Sequence, residues 1–250
     1  MATIATAKLG REHGRSDRYD RVFYSAISIA MALTVFIGFA PTYYSKLFAD
    51  APLLTLSRAP FTSLVHLHGI LFTTWTLLFV VQTALVARHR VAIHRKLGVL
   101  GGLLAGAMVV VGTTTAIRAA GSGASPPGVS PLSFLAVPLT DMLLFGGFVA
   151  TALWMRRNKE AHKRLMLLAF VSILTAAVAR FPGVLPQGPF VFFGLTFIYL
   201  LVAVAYDIAS RRRIHPVYLW GIPLLLASVP LRLMVSTTGI WRTFAEAITK

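Results

Sequence analysis

Apolar residues fall in seven runs along the chain, each about as long as a bilayer core is thick, separated by short segments holding Pro, Gly or charge. They predict helices over 22–44, 61–87, 97–119, 132–155, 163–181, 189–209 and 217–239. The separators include Ser57-Arg58-Ala59-Pro60, the uncharged stretch 121–131, Phe181-Pro182-Gly183 and Pro186-Gln187-Gly188-Pro189. Runs of this length, rather than ten-residue alternating strands, select helices over a barrel, because the bilayer offers no water to an unpaired amide. The expected fold is an all-α integral membrane bundle of seven transmembrane helices. No separator is long enough for a second domain. The organisation is thus a basic tail over 1–21, one transmembrane domain over 22–239 and a short C-terminal tail over 240–250.

Composition supports this reading: 56% of residues are hydrophobic and 13% charged. The net charge of +16 would suggest nucleic acid in a soluble protein. Here the basic residues flank apolar runs, where orientation and lipid head groups account for them, so the expected partner is the bilayer and not nucleic acid. Lys8, Arg11, Arg15, Arg18 and Arg21 lie in the tail. Arg88, Arg90, Arg95 and Lys96, then Arg156, Arg157, Lys159, Lys163 and Arg164, then Arg211, Arg212 and Arg213 lie in three junctions on that same face. That is 17 of the 24 Lys and Arg. The positive-inside rule then puts the N-terminus in the cytoplasm and the C-terminus outside. A leader this long before so long an apolar run reads as an uncleaved first helix rather than a signal peptide. The chain has no cysteine, which removes disulfides and thiolate sites.

Two junctions repeat. Arg88 to Leu97 and Arg156 to Leu165 both place a histidine six residues after an arginine, and Arg211-Arg212-Arg213-Ile214-His215 is a shorter version. The pattern reads as a repeated helical hairpin in which His94, His162 and His215 open the third, fifth and seventh helices. These histidines are either interfacial anchors or, in one pair, axial ligands to a haem iron or another metal.

A polar layer lies in the other half. His66 and His68 on the second helix point about 200° apart and so cannot easily share one metal. Asp141 is the one acid near the middle of a predicted span, and Arg232 on the seventh helix sits at similar depth, with Arg180 and Arg118 further out. An Asp141–Arg232 pair is inferred, extended by Arg180 and a histidine. It either orders the helices or forms a cofactor pocket in which Arg232 or Arg180 meets an anionic group such as a haem propionate. Gly98, Gly102 and Gly106 line one face of the third helix, and Pro223 and Pro230 are expected to kink the seventh.

Through Phe39-Ala40-Pro41-Thr42-Tyr43-Tyr44, His66-Leu67-His68-Gly69 and His94-Arg95-Lys96-Leu97-Gly98, the chain resembles a family of uncharacterised bacterial polytopic membrane proteins. That resemblance implies a bacterial plasma membrane. Helix-end histidines followed by basic residues give a fainter similarity to b-type membrane cytochromes. The outer half offers only His66 and His68, on one helix, so at most one complete haem site is expected. The leading reading is a membrane redox or cofactor-binding protein for haem b, another tetrapyrrole or a quinone. The alternatives are an accessory subunit of a larger membrane complex and a proton-coupled transporter using Asp141. No catalytic residue is assigned, since no hydrolase elbow, Walker loop or zincin helix is present.

Overall fold

The computed structural model describes residues 2–45 and 62–250, with side chains from Arg18 onward. Lys46 and the Ser57–Pro60 segment, with Arg58, lie outside the described residues. Within them are α1 (Ala2–Phe39), a π-helical turn (Ala40–Tyr44), α2 (Ser63–Ala87) and α3 (Val91–Gly121). There follow α4 (Pro131–Phe134), α5 (Ala136–Trp154), α6 (Lys159–Val178), α7 (Pro189–Arg211), α8 (Pro216–Val235) and α9 (Gly239–Thr249). Among the described residues seven spans are long and apolar enough to cross a membrane: Arg18–Tyr44, α2, α3, Pro131–Trp154, α6, α7 and α8. The protein is a membrane-embedded α-helical bundle.

Two predicted starts move. The third span begins at Val91 rather than 97, and the fifth at Lys159 rather than 163. Both helices extend through basic residues whose charged heads reach the interface while their stems stay against the helix. His94 and His162 are consequently inside first turns instead of ahead of them. The last eleven residues before the terminus, expected as a tail, form α9. α8 runs unbroken through Pro223 and Pro230.

The bundle is organised around α6. In its apolar window 72% of residues are buried, against 17–44% in the other six spans. It also has the lowest mean hydropathy of the seven, 1.5. The two facts have one cause: a helix wrapped by protein need not satisfy lipid, so polar groups concentrate there. α6 touches α1, α5, α7 and α8. Its Phe170 meets Trp75 of α2 edge to face at 5.2 Å, and Trp75 meets Phe145 of α5 at 5.0 Å, closing the aromatic centre of the core.

Local chemistry sets the ends. Asn158 caps α6 by accepting from the N–H groups of Glu160 and Ala161, both at 3.1 Å, and His215 Nδ1 caps α8 by accepting from Val217 N–H at 3.2 Å. The hairpins turn sharply: His89 and Arg212 adopt φ values of 60° and 56°. The π turn follows from Pro41, which lacks an N–H to continue the α ladder, so Ser45 N–H reaches back to Ala40 O. α9 lies over α3 and α4, where Trp241 Nε1–H donates to Leu132 O at 2.8 Å and Ala245 packs with Ala120 and Leu135. Its Ile240 and Phe244 remain exposed.

Candidate functional site

Both ends of α6 carry charge. The end nearer the N-terminal tail is here termed the basic face. There Arg164 is fully buried and forks onto the equally buried Asp207 of α7: Nε donates to Oδ2 at 2.9 Å and Nη2 to Oδ1. Arg164 Nη1 also donates to Glu160 Oε2 at 2.8 Å, the i,i+4 neighbour one turn away. Asp20 of α1 accepts from Lys163 Nζ and Arg211 Nη2, both at 2.6 Å, and from the Tyr206 hydroxyl at 2.5 Å. Arg211 closes the ring onto Glu160 at 2.8 Å. Asp20, Glu160 and Asp207 thus face Lys163, Arg164 and Arg211, and formal charge cancels. In the sequence these cations read as anchors at the lipid surface. Two signals were available: the Glu160/Arg164 spacing, and an acid, Asp207, inside the last turns of a predicted span.

Three histidines were expected on this face, and the structure brings two of them together. His94 and His162 sit with ring centroids 6.4 Å apart and planes at 85°. His162 Nδ1 donates to Ala152 O at 2.8 Å. The side-chain amide of Gln82 of α2 lies 2.7 Å from His94 Nδ1, 3.2 Å from His94 O and 3.0 Å from Gly98 N. His215 stands apart, lining a cleft of about 260 Å³ with Asn158, Glu160, Arg211 and Arg213. Burial and then the charge of Arg164 lower its pKa.

The opposite face is assembled differently. Asp141 and Arg232 are both buried and bonded, Nη1 to Oδ1, at 2.5 Å. Ser228 supports the guanidinium through its carbonyl at 3.1 Å and hydroxyl at 2.8 Å, and the Phe193 ring lies 5.0 Å from it. Arg180 does not extend this pair. It follows the C-terminus of α6, donates Nη1 to Ala176 O at 2.5 Å and stacks over Phe39 at 4.4 Å. Among the described residues it meets no carboxylate, and its Nε is buried without a hydrogen-bond partner. Burial lowers its pKa to about 10, which leaves it cationic at neutral pH.

The end of α1 and the start of α2 border this cation. Gly38 lets α1 approach so closely that a Cβ there would collide with the Ala177 carbonyl, and this sets Phe39 against Arg180. Tyr43 lies on Gly69, with its hydroxyl donating to His66 O at 3.4 Å, and Tyr44 bonds Thr73 at 2.8 Å. His68 stacks on Phe72 at 4.0 Å within range of the Arg180 charge. His66 lies on the Tyr43 side, 6.1 Å between rings. His68 Nδ1 and Thr42 Oγ1 join Arg180 Nε as buried polar atoms without a partner. Two of the three stretches that carried the resemblance, 39–44 and 66–69, are therefore in contact.

Nothing matches. Searches of protein-family models, curated proteins and solved structures find no relative of this chain, so neither the polytopic family nor the cytochrome similarity gains support. The site has to be judged on its own chemistry.

Every side-chain carboxylate that the structure describes is in an ion pair: Asp20, Asp141, Glu160, Asp207 and Glu246. Among the described residues, Arg180 is a half-buried cation on the opposite face that meets none of them. A desolvated guanidinium beside unsatisfied donors is suited to hold an oxyanion or a carbonyl oxygen. The Gly98, Gly102 and Gly106 face has a plainer use: Gly98 lies beside Gln82, a Cβ on Gly102 would press Leu153 at 3.1 Å, and Gly106 meets nothing.

Proposed function

We propose that this is a membrane-embedded cofactor-binding protein of the redox type, which receives the oxygen-bearing head of an amphiphilic cofactor at Arg180, His68 and Thr42. A haem propionate and a quinone carbonyl both present such an oxygen. The observation that carries the reading is the coincidence, among the described residues, of a half-buried cation that meets no carboxylate with three buried polar atoms that lack a partner, its own Nε, His68 Nδ1 and Thr42 Oγ1, at the meeting of α1, α2 and α6. Buried polar groups in membranes are costly and tend to serve a function. Proton-coupled transport has less behind it: Asp141 is held by Arg232, and no described carboxylate is free to carry a proton. With the basic face taken as cytoplasmic, the pocket belongs to the outer half of a plasma membrane.

The test is an absorption spectrum of the protein purified in mild detergent, oxidised and after dithionite, with mass spectrometry of the solvent extract. The expected result is a stoichiometric amphiphile bearing a carboxylate, phosphate or quinone carbonyl. Its occupancy should fall at least about tenfold in Arg180→Gln, the loss of one charge-assisted hydrogen bond. A chain that extracts nothing from its native membrane, or an occupancy indifferent to Arg180, overturns the proposal.

A further inference from the structure

The cleft beside His215 lies on the basic face, where the end of α7 and the starts of α6 and α8 meet, and its polar lining has a single chemical sense. Every lining side chain able to accept a hydrogen bond already does so. Asn158 Oδ1 takes the N–H groups of Glu160 and Ala161, both at 3.1 Å, so the amide has only its N–H donors left. His215 Nδ1 takes Val217 N–H at 3.2 Å, which places the proton of the neutral ring on Nε2. Glu160 is the one carboxylate in the lining, and its charge is met at 2.8 Å by Lys163 on Oε1 and by Arg164 and Arg211 on Oε2. What remains are donors and positive charge. Arg211 gives Nη2 to Asp20 and Glu160, and its fork carries further N–H groups. Arg213 is exposed and meets no carboxylate among the described residues, where Asp20, Asp141, Glu160, Asp207 and Glu246 are all paired with other cations.

A cleft of about 260 Å³ that offers two guanidiniums and no open acceptor suits an oxyanion, and its position selects the kind. It lies at the ends of three spans, the level at which a membrane presents the phosphates of its lipids, and arginine forks match phosphate oxygens. The helix ends add little by themselves, because Asn158 and His215 already cap them. We propose that Arg211, Arg213, Asn158 and His215 form a phosphate-binding site on the basic face, which takes the phosphate of an anionic lipid head group or of a soluble compound. His215 is its reporter. Burial lowers the pKa of this ring, and the charges that act on it are Arg164 and Glu160 from α6 with Asp207 and Arg211 from α7. A bound phosphate favours the imidazolium and so opposes that lowering. The site lies at the end of α6 opposite to Arg180, so neither site depends on the other.

Titration of His215 by nitrogen-15 NMR tests it, on protein delipidated in dodecyl maltoside, a detergent without phosphate, with the signal assigned through His215→Asn. Inorganic phosphate replaces chloride at constant ionic strength in one series, and phosphatidylglycerol is mixed into the micelles in another. At least one series should raise the His215 midpoint by about one pH unit. A response to phosphatidylglycerol alone identifies a lipid head group, a response to phosphate alone identifies a soluble phosphate, and a response to both shows that the cleft takes either. Arg213→Gln should raise the probe concentration required about tenfold, the loss of one charge-assisted hydrogen bond. Arg156→Gln removes an exposed charge of the same face outside the cleft and should leave the response as in the parent. No response in either series overturns the proposal. So does a response that Arg213→Gln leaves no weaker than Arg156→Gln does, the mark of general surface charge.

Discussion

The two ends of α6 solve the same problem in different ways. Around Arg164, three carboxylates answer three cations, and the arginine most completely removed from solvent is the one with a two-point partner. The Nε of Arg211 lacks a partner there, but it belongs to a network whose formal charge is zero. Around Arg180 no carboxylate answers among the described residues, where a main-chain carbonyl and an aromatic face are in contact. A closed ion network fixes which helices touch, because each member is intolerable without the others. An open cation fixes nothing by itself. This contrast is why the pocket is placed at the second end and the lock at the first.

Breaking the lock should have the largest effect. Asp207→Asn strands a fully buried guanidinium with only Glu160 beside it, and it should lower unfolding free energy in detergent by about 3–5 kcal/mol. The paired change Arg164→Met with Asp207→Leu should restore most of that loss. A negligible loss in Asp207→Asn would show that the network is decorative and remove one side of the contrast. Arg180→Gln should behave in the opposite way: stability equal to the parent within about 0.5 kcal/mol, or higher, because a desolvated charge is relieved. A loss comparable to that of Asp207→Asn would make Arg180 a structural group as well.

The smallest expected effect is the pH response of His215. Its folded-state pKa is lowered, so between pH 6.5 and that lower value the unfolded chain binds the proton more readily than the folded one. Stability is complete above about pH 6.5 and declines as pH falls below it. His215→Asn retains a capping oxygen for Val217 N–H but cannot titrate, so the melting temperature between pH 8 and pH 5.5 should change less in this variant than in the parent. An identical pH response in the two would assign the effect to other groups.

Much of this arrangement was legible in the chain. Apolar run length alone marks seven spans, and Asp141 and Arg232 stand at matched depths, which is where the structure pairs them. Depth does not reveal azimuth, however. Arg180 has the right polarity to extend that pair but turns towards Phe39 of α1, because Gly38 draws α1 onto Ala177. Nor does the pattern of apolar residues show which helix is central. α6 reads as one more span flanked by basic residues, and only its reduced hydropathy marks it as shielded from lipid.

The position of α6 in the chain also constrains the order in which the protein can be made. A ribosome delivers α1 to α5 before α6, so the bed for this least apolar span already exists when it leaves the translocation channel. Asp207 arrives only with α7. Until then Arg164 has a single partner that travels with it, Glu160, one turn earlier on the same helix. That i,i+4 carboxylate, which in the finished bundle also pairs Lys163 and Arg211, is the one counter-charge that an arginine-bearing segment carries with it before its counter-ion on α7 is made.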